Sequence, residues 1–320
     1  ERISDIPDGT YQFVDHMDSD GLDEGRLRID IKMIVDGTNI TFDLSGSSPE
    51  CRGPFNSPYS NTVTGTMIAV KHIFWDIPIN SGCFEPFDWI IPEGTMLNPR
   101  EPRPVSGTTT ETCNMIVSTT LGALAKALPG RVPAGYFATG SNVCLGGTHP
   151  DFGEYATLLL IGGGMGGNPD GDGLNNGCPG VGGSRNGSIE ITEQSVPFLY
   201  TKYGLREGSA GDGEFRGGLG VEASLQLREG EGYLTFLGDR GTAGAYGLEG
   251  GQPGATADHL FHTGDETWQA PHKTKIDRVY LKPGDGMTVR TPGGGGYGAP
   301  VNRTEEARTA DIRRGYLGDI

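Results

Sequence analysis

Two thiols stand where nucleophilic chemistry is conceivable: Cys83, within the run NSGCF, and Cys113, at the head of an apolar helical pattern. Against each stands the commoner role of a free cysteine, a buried and inert thiol. The histidines (His16, His72, His149, His259, His262 and His272) include no HExxH pair, and no GxSxG elbow supports a serine nucleophile. Carboxylates gather in two runs, DHMDSDG at residues 15–21 and DGDGLNN at residues 170–176. The second spaces Asp170 and Asp172 as a calcium loop would, but Leu174 takes the next ligand position and Asn175 replaces the required glycine. The first lacks a downstream bidentate glutamate. Both read as solvated acidic turns.

Glycine-rich runs raise the question of phosphate binding. IGGGMGG at residues 161–167 follows an apolar strand pattern, as a dinucleotide loop does. A pyrophosphate site also needs a helix to start there, so that its N-terminus faces the anion. The residues that follow, NPDGDGLNNGCPG, do not form a helix, which argues against a dinucleotide site. TPGGGGYG at residues 291–298 lacks the Lys-Ser/Thr ending of a P-loop.

The elements that must position any site are mostly strands. RLRIDIKMIV alternates apolar and polar residues, Asp36-Gly37 supplies a turn, and NITFDL alternates again, which predicts a hairpin. An acidic, glycine-punctuated loop is expected ahead of it, over residues 15–25. A first helix is expected from about Asn61 to Phe74. A second opens on the capping-box spacing Thr108-x-x-Glu111, carries Ile116, Val117, Leu121, Leu124 and Leu128 on one face, and stops at Pro129-Gly130. The proline-rich passage between them, residues 80–107, predicts ordered loop and edge strand. Further strands are expected at EYATLLLI, GSIEITE, VEASLQL, YLTFL, RVYL and MTVRT, and Asn302-x-x-Glu305 predicts a short charged helix near the end.

Composition fits this pattern. Glycine fills 55 of 320 positions and proline 21, without a collagen period, so a long helical bundle is excluded. The expectation is an α+β fold: a β-rich, loop-heavy globule with a few helices packed on antiparallel or mixed sheets, subdivided if at all into residues 1–150 and 151–320. A net charge of −16 argues against a nucleic-acid groove or an anionic membrane surface. No apolar run reaches the ~20 residues of a membrane span. Five cysteines without a CxxC pair suggest reduced thiols and a cytoplasmic setting, in which the sequons at Asn39, Asn186 and Asn302 carry no weight. The chain opens at Glu1 rather than Met and ends at Ile320 within an amphipathic pattern, so a piece of a longer or processed chain is expected.

Longer blocks carry more than any short motif. IPINSGCFEPFDWIIPEGTMLNP, PVSGTTTETCNMIVSTTLGALAKALPGRVPAG, GGGMGGNPDGDGLNN, SAGDGEFRGGLGV, YGLEGGQPGA and KPGDGMTVRTPGGGGYGAP occur in that order along nearly the whole chain. Together they resemble the hydantoinase B family, the module that also forms the C-terminal half of 5-oxoprolinase. The resemblance implies a portion of a B-type subunit that works with a hydantoinase A-like, ATP-binding subunit carrying ATP and Mg. The implied reaction is ATP-driven opening of a small cyclic amide such as 5-oxoproline or N-methylhydantoin. Acetone and acetophenone carboxylases use similar subunits and are the alternative, and a non-catalytic module completing such a complex is a third reading. In the family pattern the divalent-metal ligands lie in an N-terminal part of the B-type subunit that this chain does not show, so no metal ligand is assigned here. Asn80, Cys83, Asn98, Thr108 and Glu111 fall in the densest match, and Asp172, Arg185, Asn186 and Glu190 surround the glycine-rich run. These are the candidate substrate-binding residues. The expectation is that residues 80–83 or 164–172 face a shared cavity.

Overall fold

The computed structural model describes residues 2–151, 153–183 and 187–318. Arg185 and Asn186 lie outside the described residues. The first sheet takes the order β1 (Gly9–Met17), β2 (Leu27–Asp36), β3 (Asn39–Asp43), β4 (Phe87–Ile90), with β4 parallel to β3 and the other pairs antiparallel. Asp36 pairs with Asn39 across a two-residue turn in which Gly37 takes φ +59°, as the Asp-Gly signal predicts. Ile29, Ile31, Met33 and Val35 point from β2 into a core with α1 (Tyr59–Ile73) and α2 (Cys113–Ala127).

The second helix is buried almost all round, polar residues included. Thr119 and Thr120 manage this by returning their hydroxyls to the carbonyls of Met115 and Ile116, at 2.6 and 2.7 Å. Its start corrects the expected capping box. Thr108–Thr112 forms a π-helical turn, Gly107 sits at the cap without a side-chain bond, and Glu111 turns inward.

Two more sheets pack face to face around a second core. One has the order β12 (Lys275–Leu281), β9 (Glu231–Leu237), β5 (Asn142–His149), β6 (Gly153–Leu160). The other has the order β11 (Glu266–Trp268), β10 (Asp258–Thr263), β13 (Gly286–Arg290), β8 (Val221–Leu227), β7 (Phe198–Leu205). Their inward alternation, Val143 and Leu145 against Ala223, Leu225 and Val289, is period-two burial as read from the sequence. The expected strand at GSIEITE is instead helix α3 (Ile189–Ser195): Ser188 accepts from the Ile191 amide at 3.3 Å, and this N-cap outweighs the β-branched composition. The final helix, α4 (Glu305–Arg313), is capped by Thr304 rather than Asn302, at 3.2 Å from the Ala307 amide. The whole is α+β, with both antiparallel and parallel pairing. Among the described residues no helix is long and apolar enough to cross a membrane.

Between the two cores run the glycine-rich segments. A strand in a sheet bonds to two neighbours in one plane. Here Gly164, Met165 and Gly167 donate in turn to Pro292, Leu174 and Gly295, while their carbonyls accept from Phe137, Gly218 and Ala134. These residues thus bond several different segments rather than two strands in one plane. Such crowding leaves no room for a Cβ: one on Gly164 would stand 2.0 Å from the Gly218 carbonyl oxygen. The run at residues 161–167 is therefore interior scaffold, with no helix after it and no phosphate cradle.

Candidate functional site

The densest group of chemical side chains lies at the junction of the two cores. Past the end of β1, Asp18 accepts bonds from the amides of Gly241 and Thr242 at 2.7 and 2.9 Å and from the Thr274 hydroxyl at 2.7 Å. Asp15 pairs with Arg240 at 2.8 Å and Asp239 with Lys275 at 2.9 Å, and the Lys275 ammonium lies 4.8 Å over the Phe55 ring. Asp15, Asp18 and Asp20 are all buried, with relative exposures of 8, 7 and 3%. This corrects the reading of residues 15–21 as a solvated acidic turn. Burial alone would raise Asp18, but Lys275 and the bonds from Thr242, Thr274 and Gly241 together outweigh it and hold the carboxyl below its ordinary range.

Glu111 reaches the same junction from the π-helical turn. Its carboxylate takes bonds from the Thr139 hydroxyl (2.6 Å), the Gly140 amide (2.9 Å) and the Asn142 side chain (2.6 Å). Desolvation outweighs these donors and pushes its pKa up to about 8, with Asp239 adding to the rise and Lys275 opposing it. Glu111 is thus mostly protonated in the folded chain at neutral pH. The folded state binds this proton more tightly than the unfolded chain, so stability contributed by the group is complete below the ordinary carboxyl value of 4.5 and declines as pH rises through about 8. Glu111→Gln, which resembles the protonated acid, is expected to flatten that decline. Urea midpoints of both proteins at pH 6 and pH 9 check it: parallel losses in the two would refute the assignment.

Asp15, Asp18, Asp239 and Glu111 are bonded within the protein, and among the described residues no three His, Cys, Asp or Glu side chains converge to hold a metal ion. The residues present do not fit a metal site, and the geometry is that of a lock between cores. His259 is a separate buried group. It lies 4.3 Å from the Phe236 ring, both ring nitrogens lack a partner among the described residues, and burial pushes its pKa down to about 3.

A surface cavity of about 460 Å³ lies between α1 and a short 3₁₀ turn, Ser81–Phe84. Asn80 shapes that turn by accepting from the Cys83 amide at 3.1 Å, and Cys83 lines the cavity. The other candidates are elsewhere. Asn98 braces the Ile91 carbonyl at 3.0 Å, and Thr108 accepts from Asn61 at 3.3 Å. Glu190 is exposed on the first turn of α3. Asp172 is exposed, as a turn residue would be, and also pairs with Arg303 at 2.7 Å; Asp311 bonds both Arg303 and Arg216, which ties α4 to the glycine-rich segments. Residues 164–167 thus pack largely inside the protein and residues 168–172 reach the surface, while the 80–83 turn borders open space. Sequence reasoning took Asp15 and Asp18 for part of a solvated turn and passed over Asp239, Arg240 and Lys275. The one local signal was charge within otherwise apolar strand ends.

A model of the Hydantoinase B/oxoprolinase family matches residues 1–300. The chain is 32% identical to 5-oxoprolinase PfmaA of Pestalotiopsis fici over 91% of its own length and 23% of that protein's. It is 30% identical to caprolactamase subunit beta of Pseudomonas jessenii, over 98% of this chain and 56% of that one. The crystal structure of the ATP-dependent caprolactamase from the same organism superposes with a TM-score of 0.86 at 25% identity, covering 99% of this chain and 56% of that chain. A nucleotide-free acetone carboxylase superposes with a TM-score of 0.87 at 20% identity, over 99% of this chain and 49% of that one, a likeness of fold. The chain therefore spans about half the length of these solved chains, and less of the oxoprolinase.

Proposed function

The chain belongs to the hydantoinase B/oxoprolinase family, and on that ground we propose that it forms part of a B-type subunit which, with an ATP-binding hydantoinase A-like partner, hydrolyses a small cyclic amide. The observation that carries this reading is the family match over residues 1–300, joined by a caprolactamase beta subunit that is similar across 98% of the chain. An unstrained lactam resists water because amide resonance keeps its carbon weakly electrophilic. Transfer of the ATP γ-phosphoryl group to the amide oxygen releases ADP and makes the carbon electrophilic; one water adds to it, the ring C–N bond breaks with the nitrogen leaving as the amine, and a second water hydrolyses the resulting acyl phosphate to the amino acid and phosphate. In this scheme the nucleotide and its Mg belong to the partner, and the divalent metal to the N-terminal part of the B-type subunit. The chain contributes a rigid frame: two cores locked by buried ion pairs and joined by close-packed glycine segments. Its five cysteines are free thiols, which suits a cytoplasmic setting.

The test is turnover in the assembled complex, containing this chain and its A-type partner. We expect ADP release that depends on 5-oxoproline, N-methylhydantoin or caprolactam, with one ring-opened product per ADP. Carboxylate formation that requires a ketone and bicarbonate would replace this reading with the carboxylase one. Of the candidate residues, the 80–83 turn is the one we carry forward as facing the shared cavity. Asn80→Ala combined with Asp172→Ala should slow turnover in that complex, and unchanged turnover would remove both loops from consideration.

A further inference from the structure

We propose that the cavity between α1 and the Ser81–Phe84 turn binds a small aliphatic monocarboxylate, its head on Lys71 and its chain against Val70, Phe74, Ile77, Phe84 and Phe87. The proposal concerns binding by this chain and stands whether or not the chain serves a lactam hydrolase. Its size falls within the ~300–1,000 Å³ of small-molecule sites. The walls are mostly apolar, built from the end of α1 and the start of β4, with Thr38 and Asn39 at the β2–β3 turn adding a polar edge.

The charge at this cavity is unusual for the chain. In a protein of net charge −16, both charged side chains that line it, Arg2 and Lys71, are basic. Arg2 is neutralised by Asp76. Lys71 Nζ donates to two main-chain carbonyls at the end of the helix, those of Phe74 and Ile77, and among the described residues no carboxylate pairs with it. An ammonium has three donors, so one remains for a ligand. The two carbonyls fix the lysine in place, so little side-chain entropy is left to lose on binding. A carboxylate supplies the missing charge and accepts the remaining N–H, while a short alkyl chain covers the aromatic walls. A neutral amide or alcohol of the same length supplies only the second part.

Hexanoate, hexanamide and hexanol, titrated into the 320-residue chain by ligand-observed NMR and calorimetry, separate these terms. The expected result is hexanoate binding roughly tenfold tighter than hexanamide, a preference lost in Lys71→Met. Because Lys71→Met also loosens the end of α1, Ile77→Trp provides a second arm. It fills the half-open cavity and should remove binding of all three compounds without lowering the thermal midpoint. Equal affinity for hexanoate and hexanamide, hexanoate binding that survives both variants, or no binding of hexanoate would each overturn the proposal.

Discussion

Gly294→Ala is expected to destabilise the chain severely. A Cβ at this position would stand 1.9 Å from the carbonyl oxygen of Met165 and 2.3 Å from its carbon. Both atoms are backbone, in a segment that bonds to several others, so no side chain can swing away. Gly294 itself donates to Gly218 at 3.0 Å and accepts from Gly211 at 2.9 Å, which prevents it from retreating. Overpacking in an ordinary core costs ~1–3 kcal/mol because rotamers and helices shift. Here the relief is missing, and the loss should exceed that range and take up much of the ~5–15 kcal/mol that holds a domain together. Soluble yield and urea unfolding measure it. Gly204→Ala is the control: its site on β7 has nothing within 4 Å of the added carbon, and this variant should unfold near the wild-type midpoint. Equal midpoints for the two variants would mean that the glycine segments do not pack as described.

The second large effect is expected from Lys275→Met. The ammonium is 1% exposed and its partner Asp239 is fully buried, 2.9 Å away. Methionine fills similar space but leaves the Asp239 carboxylate without its counter-charge, in a junction that already holds Asp18 and Glu111. Removing one member of a buried pair typically costs ~3–5 kcal/mol. Removing both is milder, so Lys275→Met with Asp239→Asn should be more stable than the two single losses predict when added. Lys275 also restrains the pKa of Glu111, so in the single variant that group should titrate still further to the alkaline side. Urea melts of the four proteins in the cycle test this. Strict additivity would show that the pair is not coupled.

Most of the fold was legible because it follows from local periodicity. The β2–β3 hairpin was visible in its alternation and its Asp-Gly turn, and both long helices were visible in their apolar stripes. The misread elements failed for local reasons too. The segment at α3 combines β-branched residues with a serine cap, and the cap prevailed. The Thr108–Glu111 spacing matched a capping box, yet the glutamate found three donors on the far side of the turn, from residues 139–142. Of the site candidates, the structure brings Asn80 and Cys83 together at one turn beside a cavity and places the other described candidates elsewhere.

By itself, the sequence determined the strand-rich class, the two long helices and the ordered glycine blocks that mark the family. Each is carried by residues near one another along the chain, where spacing is enough. Only the tertiary structure decided which charges are buried. Asp18 meets the amide of Gly241 and the hydroxyl of Thr274 across separations of 223 and 256 residues, and no local pattern encodes that meeting. An acidic run is a solvated turn or the centre of a buried lock according to whether counter-charges and donors arrive from the rest of the chain. Desolvating a carboxylate is costly enough that this arrival, rather than the run itself, sets its role.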